Sequence, residues 1–235
     1  MKTSGTGIRD QVLEGLQVCS AEDQVLDLVG KNKAKLTVEH VSCAVRMLWE
    51  FQKERPELLR TVHLIKSHPQ FLTLRVLAEN KIALMDDFTL VDMLYAFLRI
   101  LTALMISVAS LMSTRLRDAL ISRAEYLLHT VDPLNYNTPR RMVQFLRNIK
   151  YIHRPLLEKC NEIFLRNIPR LDAENISIIL GLYQSLQFNN CDFRLAAKKR
   201  LTELIDTSTD PFSFSKLFVA LAPIGSPDIR ERLVL

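Results

Sequence analysis

Glycine and proline are scarce in this sequence, six and nine among 235 residues. A β-rich fold with many tight turns draws heavily on both, and a disordered chain is poorer in apolar residues than this one, at 48% hydrophobic and 24% charged. Long apolar runs are missing too. No stretch reaches the roughly 18 uncharged residues that a membrane helix needs. The nearest, Ile100 to Met112, follows Asp92 and Arg99 and reads as a buried core helix, so no membrane partner is expected. The N-terminus holds Asp10 and Glu14 and no apolar signal core, which gives neither a secretory signal nor a clear mitochondrial presequence. The four cysteines, Cys19, Cys43, Cys160 and Cys191, form no C-x-x-C pair, and the five histidines do not cluster with them. Structural zinc usually takes close-spaced ligand pairs, so no metal or other cofactor is expected, and free thiols in a reducing compartment are the simpler reading.

Catalytic signatures are equally sparse. The chain has no G-x-S-x-G, no H-E-x-x-H and no G-x-x-x-x-G-K. Asp86-Asp87 could pass for an acidic pair, but adjacent residues diverge around a helix start, and a cap is the better reading. We expect no enzyme and no small-molecule substrate.

What the sequence does have is helical spacing. Val38, Val41, Val45 and Leu48 form one apolar series, and Leu90, Leu94, Leu98 and Leu101 another. Met142, Phe145, Leu146 and Ile149 make a third, and Ile176, Ile179, Leu180, Tyr183 and Leu186 a fourth. Steps of three and four put each series on one face of a helix that covers a core. Trp49, Tyr95 and Tyr183 fall within or beside these stripes and are read as core. Thr138-Pro139, Asp210-Pro211 and Ser226-Pro227 each place a capping side chain before proline at a first helical position. Asp87 and Asp172 read as further N-caps, and His68-Pro69 as a break between helices. About ten helices are expected.

The helices echo one another. Met47 to Phe51, Met93 to Phe97, Met142 to Leu146, Ile178 to Leu182 and Leu217 to Leu221 share a texture. Aligning Phe51, Phe97, Phe145, Leu182 and Leu221 gives spacings of 46, 48, 37 and 39 residues. A helix pair with its turns needs about that length, which predicts an all-α fold, an α-solenoid of about five stacked antiparallel helix pairs. An irregular helical bundle is the alternative. The whole of 1–235 reads as one helical-repeat domain cut from a longer array, with 1–20 loosely ordered.

Charge is unevenly placed. Up to residue 114, 13 basic and 13 acidic side chains cancel; beyond it, 18 basic residues face 13 acidic ones. Between Arg140 and Arg200, 12 basic residues meet five acidic ones. A helix running from Thr138 brings Arg140, Gln144, Arg147, Tyr151 and Arg154 to one face, with Arg141 and Lys150 beside them. Arginine forks suit phosphate oxygens, a tyrosine ring offers a stacking platform, and Gln144 could read a base edge. Arg194, Lys198, Lys199 and Arg200 form a second cluster, although Lys198 to Arg200 fan around their helix. The plain alternative is a solvated helix face rich in arginine.

L-N-Y-N-T-P-R-R (Leu134 to Arg141) is followed by Y-I-H-R-P-L-L (Tyr151 to Leu157). Further on come I-L-G-L-Y-Q-S-L (Ile179 to Leu186) and K-L-F-V-A-L-A-P-I (Lys216 to Ile224). Together these resemble the FAST kinase domain-containing family of mitochondrial RNA-binding proteins, best from about residue 86 onward. The resemblance implies a helical-repeat fold, a place in the mitochondrial matrix, and a role in processing, stabilising or translating organelle transcripts or in ribosome assembly. It implies mitochondrial transcripts or ribosomal RNA as partners, along with proteins of the mitochondrial RNA granule. Family members carry a C-terminal RAP domain with no counterpart here, so the chain reads as a fragment or short isoform. The family's kinase label finds no support in the residues: there is no glycine-rich phosphate loop and no D-F-G, and in His153-Arg154-Pro155 proline stands where H-R-D needs its aspartate. RNA binding along the Arg140–Arg154 face is the favoured expectation. A HEAT-like protein-interaction scaffold without RNA binding is the alternative.

Overall fold

A computed structural model describes residues 10–54, 68–103, 114–207 and 211–224. Among these residues the chain is all-α, with eleven α-helices and no strand. They are α1 (Gln11–Gln17), α2 (Glu22–Asn32), α3 (Val38–Glu54), α4 (Pro69–Lys81), α5 (Asp87–Ala103) and α6 (Thr114–Leu127), then α7 (Asn137–Asn148), α8 (Arg154–Asn167), α9 (Ala173–Ser185), α10 (Cys191–Thr207) and α11 (Pro211–Leu221). The chain divides into two compact units, Met1–Ala124 and Glu125–Leu235, with the division inside α6.

In the first unit α3 is central. It packs against α1, α2, α4 and α5, and α2 also meets α4. Val41, Val45 and Leu48 are buried as their spacing requires, facing a core that includes Leu26, Val29, Leu74, Leu90 and Leu94. The side chains of Leu98 and Leu101 lie outside the described residues. Within the segment expected to be loosely ordered, Asp10 caps α1 by accepting from Val12 N–H and Leu13 N–H, each at 3.1 Å. The same carboxylate accepts from His40 Nε2 at 2.6 Å, tying α1 to α3. Trp49 is half-buried and meets Tyr95 edge-on at 6.4 Å, and Tyr95 is exposed, so these two rings sit nearer the surface than expected.

In the second unit α7 packs on α8 and α9, α8 on α10, and α9 on α10 and α11. Met142, Phe145, Leu146, Ile176, Ile179 and Tyr183 are buried from the leading helices, and Leu156, Phe164 and Phe193 from the trailing ones. Tyr183 sits among Phe164, Phe188 and Phe193 with ring centroids 4.8 to 6.2 Å away, edge-on or tilted as aromatic quadrupoles prefer. Its hydroxyl donates to the buried Asn161 at 2.8 Å, so the polar end is satisfied inside the core.

The cap assignments shift in detail. Asp172 caps α9 as read from the sequence; α4 begins at Pro69, after the expected break, and His68 also caps it by accepting from Gln70 N–H. Asp86, one residue earlier than expected, caps α5 through Thr89 N–H at 2.7 Å. Thr138 is buried in the first turn of α7; Asn135 takes its role, accepting from Asn137 N–H at 3.1 Å. Asp210, Ser226 and Pro227 lie outside the described residues.

Candidate nucleic-acid interface

The expected five-residue stripe does not survive as one helix face. A helix starting near Thr138 ends at Asn148, and Lys150 turns left-handed at φ 53°. Lys150 N–H donates to Arg147 O at 3.1 Å and Tyr151 N–H to Leu146 O at 3.0 Å, the pair of bonds that closes a Schellman motif. Tyr151 therefore lies in the connection and Arg154 opens α8. Periodicity alone could not show this stop, because the residue that takes the left-handed turn is lysine rather than glycine.

Arg140, Gln144 and Arg147 do share the outer face of α7, opposite Met142, Phe145 and Leu146, with Arg141 at its margin. Arg141 and Arg147 are exposed. Arg140 is half-buried: its guanidinium donates to Asn137 at 3.3 Å, while its Nε is buried with no hydrogen-bond partner among the described residues. Gln144 donates to Asn148 at 3.0 Å, so part of its amide is engaged along its own helix. At the end of α7 the exposed Lys150 and Arg154 continue the basic surface, and the half-buried Tyr151 stacks with His153 at 6.1 Å. His153 caps α8 by accepting from Leu156 N–H at 3.3 Å. The His-Arg-Pro triplet is thus a helix start.

The second cluster separates. Arg194 and Lys199 are exposed and Lys198 is half-buried. Arg200 is committed to structure, donating to Leu171 O at 3.3 Å with Glu203 3.6 Å away. In the first unit Arg123 makes the same kind of bond to Met85 O at 2.8 Å. Each arginine grips the carbonyl that follows a short 3-10 turn and precedes a capping aspartate, so the two units repeat one local device.

The 37-residue spacing holds at atomic detail in the second unit. Gln187, 37 residues after Lys150, has φ 53°, and Gln187 and Phe188 repeat the Schellman bonds to Gln184 and Tyr183 at 3.1 and 2.9 Å. Asn190 caps α10 as His153 caps α8. In this register Ser177, Gly181 and Gln184 of α9 stand where Arg140, Gln144 and Arg147 stand on α7. They line a cleft of about 400 Å³ with Asn189, Arg194 and the end of α11. The sequence reading passed over this cleft. Its signal was Gly181, a glycine inside a helix, where it costs about 1 kcal/mol relative to alanine.

Burial pushes the Cys160 thiol and the Tyr183 hydroxyl well above their ordinary values, so both stay protonated near neutral pH. His40 Nδ1 accepts from Thr37 N–H at 2.9 Å and its Nε2 meets Asp10, so both ring nitrogens are engaged within the fold. No group of three or more His, Cys, Asp or Glu side chains among the described residues could hold a metal ion.

No family model matches the sequence. Curated relatives do. FAST kinase domain-containing protein 1, mitochondrial, of Xenopus tropicalis is 43% identical over 289 aligned positions that take in 95% of this chain. The chain belongs to the FAST kinase domain-containing family. The Mus musculus and Homo sapiens relatives of the same name are 35% and 34% identical over 95% and 92% of the chain. The relationship makes this a mitochondrial protein. It spans about a third of the length of these relatives, 33 to 35%. An alignment of 289 positions exceeds the 235 residues here, so the relatives hold residues inside the matched region that this member lacks.

Proposed function

We propose that this FAST kinase domain-containing chain is a non-enzymatic RNA-binding segment built as an α-solenoid. It serves mitochondrial RNA processing, stability, translation or ribosome assembly from the matrix. The repeats of both units are read as one series spanning the chain. The solenoid reading draws support from the 37-residue register of the second unit and from its packing of leading helix on leading helix and trailing on trailing.

The observation that carries RNA binding is the exposed group Arg147, Lys150 and Arg154, gathered where α7 ends and α8 begins, with Arg141 also exposed on α7. Guanidinium forks and an ammonium close together suit successive phosphates, and Tyr151 beside them offers a ring. Lys198, Lys199 and Arg194 extend the basic character to α10. RNA-granule proteins are the expected protein partners.

The test is ultraviolet crosslinking of RNA to the full chain in mitochondria, read by sequencing and compared with Arg147→Glu/Lys150→Glu/Arg154→Glu. These three positions are preferred over Arg140, whose guanidinium donates to Asn137 of its own helix. Defined crosslinks lost in the triple variant support the proposal. A HEAT-like scaffold is the second reading, favoured by the exposed Leu195, Phe212 and Val219. Absent crosslinks with a stable protein co-purifying would establish it instead.

A further inference from the structure

The cleft on the second unit carries more than a general basic surface can. Its walls come from α9, the Schellman connection at Phe188 and Asn189, the first turn of α10, and the end of α11. Leu180, Pro223 and Ile224 give it an apolar side. Ser177, Gln184, Asn189 and Arg194 bring one hydroxyl, two amides and one guanidinium to the same opening. Among the described residues no hydrogen bond engages these four side chains. A Cβ at Gly181 would meet no atom within 4 Å, so the space beside this part of α9 is open.

This set of groups selects a ligand class. The two amides and the hydroxyl offer donors and acceptors side by side, which is what the edge of a nucleobase presents in return. The apolar side accepts the face of a flat ring. One guanidinium at the rim matches one phosphate. A volume of about 400 Å³ holds one nucleotide and excludes a folded element.

Register supplies a second, independent reason. Ser177, Gly181 and Gln184 repeat the positions of Arg140, Gln144 and Arg147 one helix pair later, and α7 packs directly on α9. Neighbouring helix axes lie about 8–10 Å apart, a step that a single-stranded backbone covers in one or two nucleotides. A strand whose phosphates lie along α7 therefore arrives at the cleft. We infer that this cleft takes one unstacked nucleotide of a bound single strand, with its base edge on Gln184 and Asn189 and its phosphate on Arg194. The inference rests on the RNA-binding reading above and adds a base-reading pocket to it.

Fluorescence anisotropy of the full chain separates the two. The probes are an eight-nucleotide oligouridylate and an abasic oligoribonucleotide with the same number of phosphates. The wild type is expected to bind the oligouridylate at least fivefold more tightly, since one well-seated base contributes about 1 kcal/mol or more. Gly181→Trp starts from open space at Cβ, projects a large ring into the cleft, and should erase that preference while keeping the salt dependence. Gly181→Ala should retain the preference. Arg194→Gln should weaken both probes and reduce the salt slope by about 0.7, one phosphate's share on a single strand. Equal wild-type affinity for the two probes overturns the pocket and leaves backbone binding standing. A preference that survives in folded Gly181→Trp also overturns it. Failure of the wild type to bind either probe overturns the RNA reading, and the pocket with it.

Discussion

Tyr183 carries more of the second unit's organisation than any neighbouring side chain. Its ring fills the space between Phe164, Phe188 and Phe193, and its hydroxyl reaches Asn161 across the α8–α9 interface. Tyr183→Phe keeps the packing and removes the donor, leaving the Asn161 carbonyl buried and unpaired. The expected loss is about 1–3 kcal/mol in urea unfolding. A different kind of residue-scale control sits in the first unit. Hydrogen bonds from Leu13 N–H, then from the His40 side chain and Val12 N–H, hold the Asp10 carboxyl below its usual value of 3.8 despite some desolvation. A depressed acid contributes its stability above the unfolded-state value and loses it as pH falls through the folded one. The urea midpoint should therefore drop as pH is lowered below about 4, and drop less steeply in Asp10→Asn, which removes the titrating group. An identical acid profile in the two proteins would show that the α1–α3 tie contributes nothing.

At the scale of elements, the two Schellman turns set where basic residues end up. Lys150 and Gln187 both occupy left-handed backbone at φ 53°, a conformation that favours glycine. Gln187→Gly should raise stability by up to about 1 kcal/mol, read as a higher unfolding midpoint. Lys150→Gly should bring a similar gain while removing one cation from the proposed RNA face. Stability and RNA affinity would then move in opposite directions, which no purely structural role for Lys150 would produce. These turns also mark the limit of what the sequence made legible. The apolar stripes of α3, α7 and α9 were plain, because burial enforces steps of three and four. The Asp172 cap and the helix break at His68-Pro69 were plain because capping and proline's restriction of its neighbour are local chemistry. The end of α7 was hidden, since its stop depends on Lys150 accepting a strained backbone and on Tyr151 N–H reaching Leu146. Asn135 capping in place of Thr138 was hidden for a related reason. The backbone carbonyls of Pro133 and Leu134 are held by Asn167 and Arg170, at 2.8 and 3.0 Å, from 34 and 36 residues away. That grip fixes where the chain enters α7.

Over the whole molecule, the charge ledger of the sequence located the basic region but could not sort it. Folding separates arginines that grip backbone, Arg123, Arg170 and Arg200, from those left at the surface, Arg147, Arg154 and Arg194. The cleft beside Arg194 was invisible to counting, because three of its four polar groups are uncharged. The central claim is that the exposed cations at the α7–α8 junction bind the phosphates of single-stranded RNA. The most direct measurement is the affinity of the full chain for an oligoribonucleotide across a range of salt concentrations, with wild type beside Arg147→Glu/Lys150→Glu/Arg154→Glu. Each phosphate neutralised contributes about −0.7 to the slope of log affinity against log salt. The triple variant, folded by its helical circular dichroism, should bind more weakly and with a slope flatter by about 2, three phosphates' worth. An unchanged affinity and slope in the folded variant would contradict the claim.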